Sequence, residues 1–458
     1  MDVVFLSRIQ FALNITFHYL FPPMSIGLGL MLIVMEGMYM KTKNVFYRQL
    51  TQFWTKIFAL FFAVGVATGF VQVFAFGNNW AHFSKYVGDV FGTLLAAEGI
   101  FAFFLEAGFL GIMLFGWDRV KPRIHYMSTI LVVSGAHFSA VWIILANSWM
   151  QTPAGYKIVG EGEHSHAVVT NILDVYFTPS SMDRLVHVLI GAWITGAFLL
   201  ISVGAYYLLK NKARPFALSS IKMGLITGVI ALALQGWSAD SSARGVSINQ
   251  PIKLAAMEGV YETVESTPMV LLGFPDPKAE KVVGLKVPGL LSFLTFRNFK
   301  TPVKGLKEFP KSNWPNVPWV FQSYHFMIYM WVVMIIVALL GFIFWIRNTL
   351  ENKRWLLWVM TFSSVCPFLA NTAGWFTAEI GRQPWVVYNL LRTSDGVSKS
   401  IVASQVMGSI MMFIVLYIMI FCMFIFLLNR KIKHGPEGEG DSDDSLFTEL
   451  PRIIKEKK

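Results

Sequence analysis

Charged residues and cysteines are both scarce in this sequence. Of its 458 residues only 14% are Asp, Glu, Lys or Arg, and two are cysteine. A soluble domain carries roughly 25% charged residues, so the composition excludes an ordinary water-soluble protein. Cys366 and Cys422 both lie inside apolar runs, which excludes a disulfide framework. Internal repeats, Gly/Ser linkers and low-complexity tracts are missing as well. These absences point to an integral membrane protein.

Apolar residues dominate instead, and make up 55% of the chain. They fall in runs long enough for about 20 residues of helix, the length that crosses a bilayer. The runs show no strand-like alternation, so helices rather than a closed barrel are predicted. We therefore predict an all-α integral membrane protein, a bundle of nine transmembrane helices. The spans are predicted near residues 10–38, 53–76, 94–116, 125–148, 184–209, 218–237, 319–346, 355–379 and 401–429.

The net charge is +11, and the positions of the basic residues indicate the topology. Lys and Arg cluster after spans 1, 3, 5, 7 and 9, and cytoplasmic loops collect these residues. The N-terminus is thus predicted outside and the C-terminus inside, and nucleic acid is not an expected partner. The predicted organisation is residues 1–237 with spans 1 to 6, a long external loop at 238–318, residues 319–430 with spans 7 to 9, and a polar cytoplasmic tail at 431–458.

Polar side chains within the spans are costly in lipid and mark candidate functional sites. Four are expected in the first turns of inward-running helices, and two at the outer end of span 8. In that order they are His18, Glu98, His187, Met327, Glu379 and Arg382. Imidazole, thioether and carboxylate groups at one depth suit haem iron near the outer face. Two alternatives stay open: helix–helix hydrogen bonds and the pore of a proton-coupled transporter.

Two pairs of charged residues add to this pattern. Glu98 and Glu106 are eight residues apart, about 12 Å along a helix, and are predicted to face nearly the same side. Such a pair suits a proton relay, which Ser139 could continue. Glu379 and Arg382 are neighbours at i and i+3, and arginine binds carboxylates such as haem propionates. The alternatives are hydrogen bonds to neighbouring helices for the first pair and a surface salt bridge for the second.

The external loop contains KLAAMEGVYETVES, which predicts a short amphipathic helix. It places Lys253, Glu258 and Glu262 together with apolar residues, and a loop of this length is usually functional or disordered. We expect the polar head of a lipid-soluble substrate to dock at Lys253 and Glu258. A surface-covering helix with solvated charges is the alternative.

Five motifs form a series along the chain: VGVATGFVQVFAFGNNW (64–80), AAEGIFAFFLEAGF (96–109), LFGWDR (114–119), KLAAMEG (253–259) and TAGWFTAEIGRQPW (372–385), the last of which contains GRQPW. Together they resemble subunit I of the cytochrome bd-type quinol oxidases. The resemblance runs from SRIQFALNITFHYLFPP to the ninth span. It implies oxidation of membrane quinol and four-electron reduction of oxygen to water, by a member of the short quinol-loop class.

The resemblance also implies a set of haem ligands. His187 and Met327 would be axial ligands of a low-spin haem b. His18 and Glu379 would serve a high-spin haem b and a haem d, and which serves which is left open. Close relatives can replace haem d with haem b. His325 stands where some relatives carry arginine, which bears on charge compensation near the low-spin haem.

Further roles follow from the same resemblance. Glu98, Trp375 and Arg382 would line the high-spin haem pair. Glu106 and Ser139 would lie on a path that takes protons from the inside, so that turnover is electrogenic without a pump.

The resemblance finally implies that the external loop at 238–318 binds quinol, and it implies partners for the chain. Lys253 and Glu258 match quinol-contacting positions, with Asp240 nearby. A second oxidase subunit, a small single-helix accessory subunit, membrane lipid and quinone are the expected partners, in the bacterial cytoplasmic membrane. Two rival readings are a di-haem b cytochrome that reduces another substrate and a secondary transporter, which usually shows internal repeats.

Overall fold

The computed structural model describes residues 2–436, and within them nine helical segments are long and apolar enough to cross a membrane. This confirms the predicted all-α membrane bundle. Numbered as spans 1 to 9, they comprise Val3–His18 with Pro22–Thr42, Val45–Asn78, Gly88–Ala97 with Glu98–Phe103 and Phe104–Phe115, Pro122–Gln151, Ser181–Leu209, Arg214–Asn249, Val317–Ile346, Arg354–Phe362 with Val365–Ile380, and Ala403–His434.

Span 1 is broken where the sequence suggested a continuous helix. The first helix ends at His18, and the second begins at Pro22, since proline suits the first helical turn but not the interior. His18 therefore lies at the end of a helix, and its predicted position in a first turn is wrong. Glu98 and Met327 also stand about 15 Å from the starts of their spans. These helices begin earlier than their hydropathy limits.

Two other spans depart from regular, bilayer-length helices. In span 3, Glu98–Phe103 forms a π-helical turn, a feature found mostly as an isolated turn at functional sites. Span 6 continues to Asn249, about 18 Å beyond the predicted limit at residue 237. An ion pair at i and i+4, Asp240 to Arg244 at 3.0 Å, lies on this extension. The long connection to span 7 is correspondingly shorter.

Small elements cap the bundle between the spans. Three antiparallel hairpins pair Tyr156–Val159 with His166–Val169, Met269–Asp276 with Lys281–Val287, and Trp385–Val387 with Leu391–Arg392. Short α-helices occupy Ala81–Tyr86, Ile172–Tyr176, Pro251–Glu258, Leu290–Phe296 and Thr393–Gly396. Single 3₁₀ turns lie at Gly162–His164, Leu306–Glu308, Lys311–Asn313 and Leu350–Asn352. We call Pro251–Glu258 the motif helix and the second hairpin the loop hairpin.

Span 5 forms the centre of the bundle and is the most buried of the spans. It meets span 1 at two facing glycines: a Cβ on Gly27 would stand 2.1 Å from the Ala192 carbonyl oxygen, and one on Gly196 would stand 2.3 Å from the Gly27 carbonyl carbon. Small residues allow such close backbone approach between membrane helices. Large aromatic side chains, including Trp54 and Phe198, fill the space around this crossing.

The last helix runs to His434, so the first four residues of the predicted tail continue span 9. Residues 435 and 436 follow the helix, and the rest of that tail, residues 437–458, lies outside the described residues.

Candidate functional site

The end of span 8 carries a buried ion pair. An Arg382 guanidinium N–H donates to Glu379 Oε2, and the Arg382 side chain is only 3% exposed. The other oxygen, Glu379 Oε1, accepts from Asn147 Nδ2 at 3.1 Å and from Gln151 Nε2 at 3.3 Å. Charge-assisted hydrogen bonds of this kind are the strong ones. The burial of Arg382 excludes a surface salt bridge here.

Gln151 connects this ion pair to the motif helix. Its Oε1 accepts from Lys253 Nζ at 2.5 Å, while its Nε2 donates to Glu379. The Lys253 ammonium is buried, and burial is the main reason that its pKa falls well below the usual range. The nearby Arg184 and Arg382 cations lower it further, and Glu379 opposes them. One amide thus joins a buried lysine to a buried carboxylate.

Glu258, at the end of the motif helix, is the second buried charge of the loop motif. Burial raises the pKa of its carboxyl to about 7, and a hydrogen bond with Tyr324 opposes that rise. Its Oε2 is buried and has no hydrogen-bond partner among the described residues. The alternative of solvated surface charges is wrong for Lys253 and Glu258, which are 5% and 2% exposed.

Glu262 does not join these two residues, contrary to the predicted grouping. The helix stops at Glu258 because Gly259 takes a φ of +66°, in the left-handed region that favours glycine. Glu262 lies beyond this stop, exposed, and pairs with Lys307 at 2.7 Å. Asp240 is held on the span 6 extension by arginines 244 and 297, the latter at 2.5 Å.

His18 is oriented by a threonine of span 2. The Thr68 hydroxyl donates its only proton to the Val64 carbonyl at 2.9 Å, so its oxygen accepts from His18 Nδ1, also at 2.9 Å. The Nε2 atom then keeps its lone pair, as an iron ligand requires. Gly69 leaves room beside the ring, since a Cβ there would stand 3.4 Å from His18 Cε1.

His187 and Met327 are held by different neighbours. The His187 ring contacts the Gln235 amide at 2.9 Å through Nε2 and the Ser238 hydroxyl at 3.3 Å through Nδ1. Met327 Sδ lies against span 8, where a Cβ on Gly374 would stand 2.8 Å from this sulfur. For His187 to hold a haem iron through Nε2, the Gln235 amide would have to turn away from that atom, while Ser238 could keep its contact with Nδ1.

The predicted iron ligands do not form one shared metal site. Within residues 2–436 there is no group of three or more His, Cys, Asp and Glu side chains placed to hold a single ion. Haem is a better fit, because it takes its ligands singly or in pairs. Arg382 also suits it: the Nε and Nη1 groups of its guanidinium are buried and meet no acceptor in the described part of the chain. A propionate carboxylate would satisfy them.

The carboxylates of span 3 lie beside span 4. Ser139 Oγ donates to Glu98 Oε1 at 2.8 Å, and Glu106 is buried further along the same span. In a regular α-helix eight residues overshoot two turns, whereas the wider π turn from Glu98 takes more residues per revolution. The π turn therefore brings the two carboxylates closer to a common face.

Several polar residues at this site escaped the sequence analysis. Arg184 donates to the Asn147 side chain, which in turn donates to Glu379. Arg184 could have been found as an arginine three residues before His187, inside an apolar run. Asn147 and Gln151 gave no such signal, because uncharged amides near a helix end are common.

A second buried pair lies at the other end of span 4. Glu36 of span 1 accepts from Thr129 at 2.6 Å and contacts His125 Nδ1 at 2.6 Å. Trp117 packs against the His125 ring in a tilted arrangement, with ring centres 4.0 Å apart. The sequence analysis did not single out this pair.

Known proteins of one family match this chain in sequence and in fold. The sequence matches the family model described as "Cytochrome bd terminal oxidase subunit I" over residues 6–436. It is 40% identical to cytochrome bd ubiquinol oxidase subunit 1 of Bacillus subtilis, covering 98% of this chain and 97% of the relative. It is 32% identical to cytochrome bd-II ubiquinol oxidase subunit 1 of Escherichia coli, covering 95% and 97%. A solved bd oxidase from Geobacillus thermodenitrificans superposes with a TM-score of 0.87 at 27% identity, covering 95% of this chain and 99% of that one.

Proposed function

Because the chain belongs to the cytochrome bd terminal oxidase subunit I family, we propose that it couples oxidation of membrane quinol to reduction of oxygen to water. The observation that supports this most directly is the contact sequence Lys253–Gln151–Glu379–Arg382. It joins the loop motif to the end of span 8, so a quinol held at the first would lie near groups that suit a haem at the second.

Lys253 and Glu258 would hold the quinol head group. Both are buried among apolar side chains of the motif helix and span 7, which suits a hydrophobic substrate. With a pKa near 7, the Glu258 carboxylate is poised to accept a proton from a quinol hydroxyl. The Lys253 ammonium can donate a hydrogen bond to a quinol oxygen. Oxidation of each quinol releases two electrons and two protons.

Haem would supply electron storage and the centre at which oxygen is reduced. His18 would ligate through Nε2, and Arg382 would bind a propionate through its unpaired N–H groups. Glu379 would serve the other high-spin haem, while His187 and Met327 would hold a low-spin haem b. Two haems b and one haem d are the proposed set, with haem b as the substitute for haem d.

Glu106 and Glu98 would deliver the protons used in water formation. Glu98 already accepts a hydrogen bond from Ser139, which provides a polar contact between the two spans. On the topology predicted from the basic loops, quinol protons leave on the outer side and consumed protons enter from the inside. Turnover would thus be electrogenic without a pump.

The proposed setting is the bacterial cytoplasmic membrane, with quinone and lipid as surroundings. A second oxidase subunit and a small single-helix accessory subunit are the proposed protein partners. Spans 3 and 9 offer surfaces for them, because both expose large apolar side chains such as Phe104 and Phe426.

A reduced-minus-oxidised absorption spectrum of the purified complex, combined with quinol-driven oxygen uptake, tests the proposal. Three haems with one red-shifted, oxygen-reactive band are expected. A colourless protein would favour transport, and haem without oxygen uptake would favour a di-haem cytochrome.

A further inference from the structure

The loop hairpin turns an apolar face outward. Leu272 lies opposite Leu285, and Phe274 opposite Val283, on one side of the two strands. All four side chains are more than half exposed, and Phe274 is 76% exposed. A hairpin that faces water on one side normally carries polar residues there. Four large apolar residues in register therefore indicate an apolar environment.

The opposite face of the hairpin packs against the protein. Val270 and Val282 are buried in one apolar cluster with Leu254 of the motif helix and Phe321 of span 7. Val282 fills the space beside Gly259, where a Cβ would come within 2.3 Å of its methyl group. The apolar outer face consequently cannot turn inward without breaking this cluster.

Span 7 binds the free edge of the hairpin through three side chains. Gln322 Nε2 donates to the Gly273 carbonyl at 3.0 Å, and the Tyr329 hydroxyl donates to the Leu271 carbonyl at 2.8 Å. His325 Nε2 contacts the Val270 carbonyl at 2.8 Å. The spacing i, i+3, i+7 puts these donors on one helical face. Edge carbonyls that water could satisfy would not need such partners, whereas in lipid they must be paired by protein.

These contacts also give the level of the hairpin in the membrane. Trp319 and Trp345, near the two ends of span 7, are 26 positions and about 39 Å apart, close to a bilayer with its headgroups. A hydrocarbon core of about 30 Å centred between them begins near Gln322. The base of the hairpin, bonded at positions 322 to 329, therefore runs from this boundary about 10 Å into the core, and its turn at 277–280 points away from the core.

We propose that the loop hairpin is immersed in the lipid leaflet on the side where span 7 begins. Its outer face contacts acyl chains at Leu272 and Leu285 and the headgroup layer at Phe274 and Val283. Continuity with the exposed apolar surface of span 7 favours lipid over a protein partner. Exposed lysines at 278 and 281, beside the turn, suit anionic headgroups. Lys286 is exposed nearer the base, and its long stem lets the ammonium reach toward the headgroups. Lipid contact at this hairpin requires only the membrane-spanning fold, so it can be disproved without disproving the proposed oxidase chemistry.

The test uses the assembled oxidase in nanodiscs of phosphatidylcholine and phosphatidylglycerol. Cys366→Ser and Cys422→Ser remove both cysteines of this chain. Single cysteines are then placed at Leu285, Phe274 and, as a matched control in the same hairpin, Lys278, and the complex without an introduced cysteine gives the background labelling. Each is labelled with an environment-sensitive fluorophore. Lipids bearing a nitroxide near the top of the acyl chain should quench the labels in the order Leu285→Cys, Phe274→Cys, Lys278→Cys, with several-fold differences. Aqueous iodide should give the reverse order.

Each other outcome overturns the proposal. Iodide quenching at Phe274→Cys that equals the Lys278→Cys value places this face in water. A label shielded from both quenchers means that protein covers the face, either a partner subunit or a second copy of this chain. Haem spectra of each variant check assembly, and Leu272→Cys or Val283→Cys, on the same face, replaces a variant that fails it.

Discussion

Replacing Gln151 with leucine should uncouple the buried lysine of the loop motif from the end of span 8. The variant keeps the side-chain size but removes the acceptor of Lys253 and one donor to Glu379. A hydrogen bond to a charged group contributes about 1.5–3 kcal/mol. At about 1.36 kcal/mol per tenfold, we expect quinol kcat/KM to fall roughly 10- to 150-fold. On the proposed function, Lys253 would then lack the contact that orients its side chain toward quinol.

The assay is oxygen uptake by the purified complex with a short-chain quinol. A parallel measurement with an artificial one-electron donor, which bypasses the quinol site, should show a much smaller loss. The reduced-minus-oxidised spectrum should retain its haem bands, because Gln151 is not among the proposed ligands.

Gln250→Leu is the matched control for this variant. Gln250 is also buried, and its side chain donates to the backbone carbonyl of Gln151 at 2.9 Å. Its contact with Lys253 is a backbone hydrogen bond that leucine retains, and among the described residues its side chain bonds neither Lys253 Nζ nor Glu379. Its loss removes one neutral hydrogen bond, so only a few-fold change is expected. If Gln151→Leu costs no more than Gln250→Leu while the haems are retained, the proposed coupling is refuted.

Three further predictions concern single side chains. The pKa of Glu258 in the folded protein is raised to about 7, so folding favours its neutral form. The free energy of unfolding should therefore fall by about 3 kcal/mol as pH rises from 4.5 to 7. Glu258→Gln should flatten the pH dependence of Tm, whereas Glu262→Gln, at an exposed position, should not. Glu106→Gln should slow oxygen reduction at least tenfold, as loss of proton transfer does, with haem content intact by spectroscopy. Thr68→Val should leave His18 without its oriented tautomer and shift a high-spin haem band, which Thr68→Ser should restore.

Each of these expectations has a contradicting result. A pH profile of Tm that is unchanged in Glu258→Gln would show that this carboxyl does not titrate in that range. Normal turnover in Glu106→Gln would remove that residue from the proton path. Identical spectra for Thr68→Val and the unmodified protein would show that His18 is oriented otherwise.

Hydropathy predicted the nine spans because apolar run length follows directly from bilayer thickness. It could not predict where helices break or continue, since those depend on local backbone chemistry. The break after His18 follows from two consecutive prolines at the start of the next helix, a local signal that hydropathy does not register. The π turn at Glu98 and the extension of span 6 to Asn249 leave no comparable signature in a single sequence.

Ionisable residues near or within apolar runs could also be identified from the sequence as candidate site residues. The structure brings three of them, Lys253, Glu379 and Arg382, into one hydrogen-bonded group. The connecting amides could not be found, because asparagine and glutamine are neutral and their role depends on which spans are neighbours. The grouping of Glu262 failed for the opposite reason. Helical periodicity was extended past Gly259, although a glycine at that point is a common stop signal.

The contact between Gly27 and Gly196 has a consequence for how the bundle assembles. Two backbones this close leave a single axial alignment of spans 1 and 5, because a slip of one position would drive Ile26 or Leu28 into the chain of the other helix. A first span inserted in another alignment would therefore lose its close packing against span 5, the most buried helix of the bundle.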